Sequence, residues 1–359
     1  MSIAFLTDTH VGCRSSSSIF REYMRYWYDS HFFPDLKAKN IKHIIHGGDF
    51  FDNRNSVSLQ DIDFVVNWFA KRLIEDDLHM TVVLGNHDVA FKNTNKIHSL
   101  TMLKAAAPNN VDVVEDPKMV ELDGQWYALV PWINSSNYDE SVEFLNNIVS
   151  KPSVIVVGHF EIIGAKMYAN SPVCEHGLEA SLFKQFKEVW SGHFHHKSDL
   201  NNIKYLGSAF HLNWQDYGDK RGYHIYDSSS DTLEFVENEY SLFLQVMFDG
   251  DVFKQMSDEE FKESFESRFV RIVVDCEYDN VALLDTISKI NRCKPHDLQV
   301  INHQVLSESN VQDNESIEQK TAKSTIEYIN SYIENESDSV KELMVSLYND
   351  AHDKLLKGE

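Results

Sequence analysis

What most constrains this chain is how its apolar runs end. Ile3–Thr7 leads into Asp8-Thr9-His10, and Ile41–Ile45 leads into Gly47-Gly48-Asp49-Phe50-Phe51-Asp52. Thr81–Leu84 ends in Gly85-Asn86-His87-Asp88, Ser153–Val157 in Gly158-His159, and the run at Val189 in Gly192-His193-Phe194-His195. Each run has the length and continuity of a buried strand. Helical spacing over Ile19–Lys39, over Ser58–Asp76 and near Asp139–Val149 lies between them, which makes the strands part of an α/β sheet. In such sheets ligands bind beyond the carboxyl ends of the strands. At four of the five ends, all but that of Ile3–Thr7, a glycine lets the backbone turn sharply and brings the next side chain to the rim.

The rims therefore present Asp8, His10, Asp49, Asn86, His159, His193 and His195, an oxygen and nitrogen set with no thiolate. Such donors suit Mn²⁺, Fe²⁺, Mg²⁺ or Zn²⁺. They are too many for one ion, and two ions roughly 3.5–4 Å apart need a bridging group. A carboxylate bridges readily and an imidazole nitrogen does not, so Asp49, on the central strand of the set, is the expected bridge. A histidine beside a ligating asparagine, His87, suits general acid work near neutral pH. A carboxylate on its far nitrogen, Asp88, would fix its tautomer. Each motif alone also reads as an ordinary strand-end turn or rim histidine. Their occurrence together, in this order, carries the metal reading.

Composition bounds the rest. The 359 residues, 42% hydrophobic and 25% charged, suit a soluble globular protein of about two domains. No apolar run reaches the roughly 18 residues of a membrane helix, and the early Asp8 argues against a signal peptide. Cys13, Cys174, Cys276 and Cys293 form no CxxC, so neither a disulfide framework nor a zinc ribbon is expected. These features predict a cytoplasmic protein. Lys and Arg number 33 against 56 Asp and Glu, a formal charge of −23. Such a surface repels a nucleic-acid backbone at long range. A polyanionic substrate must then be held locally, by metal ions, by a few basic residues or through a partner. Arg14, Arg54, Lys92 and Lys96 follow the motifs and are candidate phosphate contacts, with plain surface charge as the alternative.

Val120–Val130 reads as a hairpin about Asp123-Gly124. Short strands at Ile203–Gly207, Gly222–Asp227 and Leu233–Val236 suggest a second, more antiparallel sheet. Phe269–Cys276, Val281–Ile290 and Leu298–Ile301 form a small β-α-β unit, followed by a polar stretch. Val340, Leu343, Met344 and Leu347 then line one face of an amphipathic helix.

The ordered set D-x-H, G-D-x-x-D, G-N-H-D, G-H and G-H-x-H resembles the calcineurin-like metallophosphoesterases. Within that family the chain is similar to the SbcD-type double-strand-break repair nucleases, and Glu188–His195 with the acidic tail resembles the recombination endonuclease subunits of T-even-type phages. The resemblance implies a two-sheet α-β-β-α sandwich over residues 1–240 and a β-α-β cap over 241–302. The polar run from His303 to Ser316 reads as a linker, and the resemblance implies a helical partner-binding segment over 317–359. It places one metal on Asp8, His10, Asp49 and His195, and the other on Asp49, Asn86, His159 and His193. His87 would contact the scissile phosphate or protonate the leaving oxygen, oriented by Asp88. Some relatives carry His where Asp52 stands, so the role of Asp52 stays open, a helix cap or a partner of a ligand being the alternatives.

The implied cofactors are two divalent ions, Mn²⁺ first, with Mg²⁺ or Fe²⁺ as alternatives. The implied activity is 3′→5′ exonuclease action on duplex DNA with single-strand endonuclease action, in recombination and repair. The implied partners are DNA, an SMC-like coiled-coil ATPase docked by Val340, Leu343, Met344 and Leu347, and a second copy packed on the helix of Ile62, Val65, Val66, Trp68, Phe69 and Leu73. A phage-encoded chain would work in the host bacterial cytoplasm. Competing readings are a metallophosphatase acting on small phosphodiesters or phosphoproteins, and a scaffold that has kept the fold without catalysis. Trp214, Tyr217 and Arg221 follow the last ligand, and the sequence does not separate DNA contact from packing there.

Overall fold

Side chains alternate across a strand, and that alternation builds the layers. The computed structural model describes residues 2–167, 171–275 and 278–302. In Ser2–Leu6, Ile3 and Phe5 face one way, packing with Ile45, Val83, Tyr127, Leu129, Ile155 and Trp190 between two sheets. Ala4 and Leu6 face the other way, toward Phe20, Trp27, Phe32, Phe69 and Leu73 on helices. The first sheet runs Thr232–Glu237, Gly222–Asp227, Ser2–Leu6, His43–His46, His79–Val83, Val111–Val114. Its last four strands are parallel. The second runs Ser198–Leu200, Ile203–Tyr205, Glu188–Gly192, Val154–His159, Gln125–Val130, Lys118–Leu122, parallel except at the two edge pairings. Its outer face packs Val154, Val156 and Val189 against Leu145, Phe160 and Phe183. Helix, sheet, sheet and helix layers follow, as expected, but the strands at Gly222–Asp227 and Thr232–Glu237 extend the first sheet by antiparallel pairing on Ser2–Leu6 and do not build a second, antiparallel one.

The sequence-predicted helices form with a modification. Ser18–Trp27 and Phe33–Ala38 are joined through a π turn at Tyr28–Phe32, just before Pro34. The wider turn relieves the clash of the Pro34 ring with the carbonyl four residues back. The second helix starts at Leu59, where the Ser58 side chain caps Asp61 N–H, and passes through a π turn at Phe64–Phe69. The expected hairpin turns at Asp123 and Gly124, with φ of 51° and 77°, as a two-residue connection with both φ positive requires. The edge strand Val111–Val114 and the hairpin Val89–Phe91 with Thr94–His98 carry no alternation long enough to have been expected.

Beyond Tyr240 a three-stranded sheet orders Phe243–Met247, Phe269–Val274 and Asp297–Asn302, with helices at Gly250–Gln255, Asp258–Phe265 and Asn280–Arg292. The β-α-β unit thus includes a strand and two helices that the sequence did not reveal. The linker over 303–316 and the segment carrying Val340, Leu343, Met344 and Leu347 lie outside the described residues. No described helix is long and apolar enough to cross a membrane.

His224, on Gly222–Asp227, is buried with its ring 5.0 Å from that of Phe235. Burial, with the charges of Lys197 and Lys204, pushes its pKa down to about 3. The folded state therefore refuses a proton that the unfolded chain takes up below about pH 6.5, and stability falls as the pH drops through that window. At pH 5 the loss is about 2 kcal/mol. Urea unfolding at pH 7 and pH 5 is expected to show wild type losing about that much more than His224→Gln; equal losses would remove His224 from the account.

Candidate metal centre

The sequence-predicted donors converge at the carboxyl ends of strands from both sheets. Asp8, His10 and His195 bring ligand atoms within 4.8 Å of one another, as do Asp49, His159 and His193. His10 Nε2 lies 3.0 Å from His195 Nε2 and 4.0 Å from Asp8 Oδ1. In the other group, His159 Nε2 lies 3.2 Å from Asp49 Oδ2 and 3.0 Å from Asn86 Oδ1, and His193 Nδ1 lies 2.9 Å from that same Asn86 oxygen. Asp49 Oδ2 is also 3.8 Å from His10 Nε2, so one carboxylate borders both groups.

The local backbone is strained to achieve this. Asp8, His10, Asp49 and His193 all have positive φ, between 47° and 88°, where non-glycine residues are uncommon and where strain collects at functional sites. Gly85 is needed for close approach, because a Cβ there would sit 2.2 Å from the Asp49 backbone nitrogen. Asp8 is fixed by the Thr7 hydroxyl, which donates at 2.6 Å, and by the His193 N–H at 3.0 Å. Thr7 carries no signal that sequence reasoning can use.

The proton arithmetic of the donors fits cations. A carbonyl only accepts, so His159 Nδ1, 2.9 Å from Gly47 O, carries the proton. Its Nε2 faces two acceptor oxygens, Asp49 Oδ2 and Asn86 Oδ1. Burial is outweighed there by Asp49, which pushes His159 up to about 9, so the position calls for positive charge, a second proton or a cation in its place. His10 and His195 likewise point Nε2 at Nε2, where at most one shared proton can lie. Asp8 and Asp49 are almost completely buried, and an unpaired buried carboxylate is costly. Burial pushes the Asp8 carboxyl up. Burial acts the same way on Asp49, but the charges of His159 and His10 outweigh it and hold that group well below the usual carboxylate range. His10 is pushed up to about 9, burial being outweighed by Asp52, Asp49 and Asp8. Burial, with the charge of His159, pushes His193 down to about 3. Acceptors crowded around two foci call for positive charge, and the oxygen and nitrogen donors suit divalent ions.

The family model for calcineurin-like phosphoesterases matches residues 1–197. The chain belongs to that family. Among curated relatives of this phosphoesterase, exonuclease subunit 1 of Enterobacteria phage T4 is 30% identical over 87% of this chain and 87% of its own. The SbcD component of the SbcCD nuclease of Staphylococcus saprophyticus is 24% identical over 63% of this chain and 65% of its own. A solved archaeal phosphodiesterase overlays 66% of this chain and 99% of its own at 14% identity, with a TM-score of 0.33.

One expected contact in this phosphoesterase is not made. Asp88 does not reach the far nitrogen of His87: its oxygens accept from Gly85 N–H at 2.9 Å and Phe51 N–H at 3.0 Å. The tautomer of His87 is instead set by the backbone carbonyl of Asp52, to which Nδ1 donates. The chain turns between His87 and Asp88, sending the second side chain inward to tie two rim loops together. The Asp52 carboxylate, left open by the sequence, lies 3.1 Å from His10 Nδ1, off the line a hydrogen bond needs. Trp132, which the sequence did not single out, packs its ring 5.4 Å from that of His193.

Arg14, Lys92 and Lys96 are exposed and Arg54 is partly so, and none has an ion-pair partner among the described residues. Trp214 meets Phe243 edge to face and lies beneath the Arg271 guanidinium, and the Tyr217 hydroxyl donates to Gln245 O, so packing accounts for both. Val65, Phe69 and Leu73 are buried within the chain, and Trp68 stacks on Phe64.

Proposed function

We propose that this chain is the nuclease subunit of a DNA-processing enzyme and hydrolyses DNA phosphodiester bonds with two divalent cations, Mn²⁺ first. The observation that carries the reading is the pair of donor groups bordered by Asp49. Asp8, His10, Asp49 and His195 would hold one cation, and Asp49, Asn86, His159 and His193 the other. Bound there, such ions offset the charge of the scissile phosphate and make water a nucleophile near neutral pH. The chain's own residues do the rest. Asp49 Oδ1 accepts the His87 N–H at 2.7 Å, which fixes His87 beside the donors. With Nδ1–H committed to the Asp52 carbonyl, His87 can serve as the acid only as the imidazolium, which gives its Nε2 proton to the leaving oxygen and is left as the Nδ1–H tautomer.

Relatives named as an exonuclease subunit and a nuclease subunit support DNA as substrate and action as part of a larger assembly. The finer reading is 3′→5′ exonuclease action on duplex ends, single-strand endonuclease action, and a home in the host bacterial cytoplasm. The β-α-β module over 241–302 is read as a cap that selects DNA form. Residues after 316 are read as the attachment to an SMC-like coiled-coil ATPase, and the helix around Trp68 as a face for a second copy. A chain of charge −23 then meets DNA chiefly through cations, Arg14, Arg54, Lys92 and Lys96, and its partner.

The test compares cleavage of duplex DNA with hydrolysis of bis-p-nitrophenyl phosphate in Mn²⁺, Mg²⁺ and Fe²⁺. Mn²⁺-dependent degradation of DNA is expected. Hydrolysis of the small ester with intact DNA would assign the chain to small phosphodiesters instead, and an inert protein holding both cations would make it a scaffold.

A further inference from the structure

Arg221 is 1% exposed, and a buried guanidinium is tolerated only where every charge around it is answered. Its Nη2 donates to Asp216 Oδ1 at 2.9 Å and to Asp219 Oδ2 at 3.2 Å. Asp216, itself wholly buried, spends its other oxygen on the N–H groups of Leu212 and Asn213. Arg221 Nη1 donates to Ser208 Oγ at 2.9 Å and to the carbonyl of His195. The charge is thus neutralised inside the loop and is withheld from any phosphate. What it reaches is the main chain of a donor residue.

That carbonyl is held from more than one side. Ser208 N–H donates to it at 3.1 Å. Gly207, at φ +77°, lets the chain pass where a Cβ would lie 2.9 Å from the same oxygen. The ring of His195 has no comparable support. His159 is steadied through Nδ1 by the Gly47 carbonyl and His87 by the Asp52 carbonyl. Among the described residues His195 makes no hydrogen bond through Nδ1, and its side chain is 21% exposed. Its place beside His10 and Asp8 is therefore set by its backbone.

We infer that Arg221 is a positioning residue that aims the His195 imidazole at His10 and Asp8 by gripping the His195 carbonyl. The inference rests on the two-cation reading for its consequence, but not for its geometry. Arg221→Lys keeps the charge and loses the fork that reaches the His195 carbonyl, Ser208 and Asp216 together. In calorimetric Mn²⁺ titration of the full chain, one of the two sites is expected to weaken by about 10- to 100-fold, the usual cost of losing a group that orients a ligand. The other site is expected to hold its affinity. In a His195→Ala background the same substitution is expected to add less than about a twofold loss, because a residue acting only through His195 has nothing left to act on. Equal weakening of both sites, full wild-type affinity, or an undiminished further loss in His195→Ala would each overturn the inference.

A measurement without metal separates this from the functional reading. In ¹⁵N-histidine spectra of the cation-free protein, Arg221→Lys is expected to shift the ring nitrogens of His195 and leave those of His159 in place. Unmoved His195 signals would end the positioning role even for a protein that binds both cations. A wild type that binds no cation pair would end the two-cation reading while leaving this contact standing. If Arg221→Lys does not fold, Ser208→Ala removes one guanidinium acceptor more gently. It is expected to shift the same His195 signals in the same direction, and His195 signals unmoved by it would end the positioning role.

Discussion

Asp49→Ala is expected to lose both cations and to lower DNA cleavage by more than about 10³-fold, well past the 10- to 100-fold typical of an outer-shell change. The size follows from position. Its Oδ2 is 3.2 Å from His159 Nε2 and 3.8 Å from His10 Nε2, so the two donor groups share this carboxylate. Its Oδ1 accepts the His87 N–H at 2.7 Å. Alanine therefore removes a donor to each ion, frees the loop carrying the proposed acid, and leaves His10 and His159 facing one another's charge with less to offset it. Two like charges in a buried site repel more strongly than in water. Metal content after dialysis and circular dichroism decide the matter together. A folded Asp49→Ala that retains two cations would break the bridging assignment. Asp49→Asn, which keeps the shape and an oxygen for the His87 N–H, separates loss of charge from loss of the loop anchor: it is expected to hold His87 in place and still bind the cations weakly.

The donors were legible because strand ends are written locally. An apolar run followed by Asp, His or Asn, in four of the five cases through a glycine, states both where a strand stops and what its rim offers, and the parallel strands of each sheet gather those rims at one end. The contact to His87 was not legible for the opposite reason. Its partner is a backbone carbonyl, which every residue has, and adjacency pointed to Asp88, whose side chain the turn sends to Gly85 and Phe51. The Arg221 cluster was hidden in the same way. Asp216, Asp219, Ser208 and the His195 carbonyl are separated in sequence, and only the folded loop shows that they surround one guanidinium. The strand Phe243–Met247 escaped because its polar Gln245 and the following Asp249-Gly250 interrupt any simple period.

The second large effect separates holding metal from cleaving DNA. His87→Ala is expected to keep both cations and to lower DNA cleavage by about 10²- to 10⁴-fold, the range general acid catalysis supplies. The backbone N–H that Asp49 accepts survives the substitution, so the anchor between the loops stays, and no donor atom of Asp8, His10, Asn86, His159, His193 or His195 is removed. What disappears is a ring whose Nδ1–H is committed to the Asp52 carbonyl and whose Nε2, in the imidazolium form, carries the proton to give. The chemistry of the leaving group then provides the sharper reading. A DNA strand departs as a poorly stabilised alkoxide and needs that proton, whereas p-nitrophenolate departs without it. His87→Ala is therefore expected to spare hydrolysis of bis-p-nitrophenyl phosphate, within about tenfold of wild type, while DNA cleavage collapses. Equal losses on the two substrates would mean that His87 serves binding and not proton transfer, and loss of the cations in His87→Ala would place it among the groups that hold them.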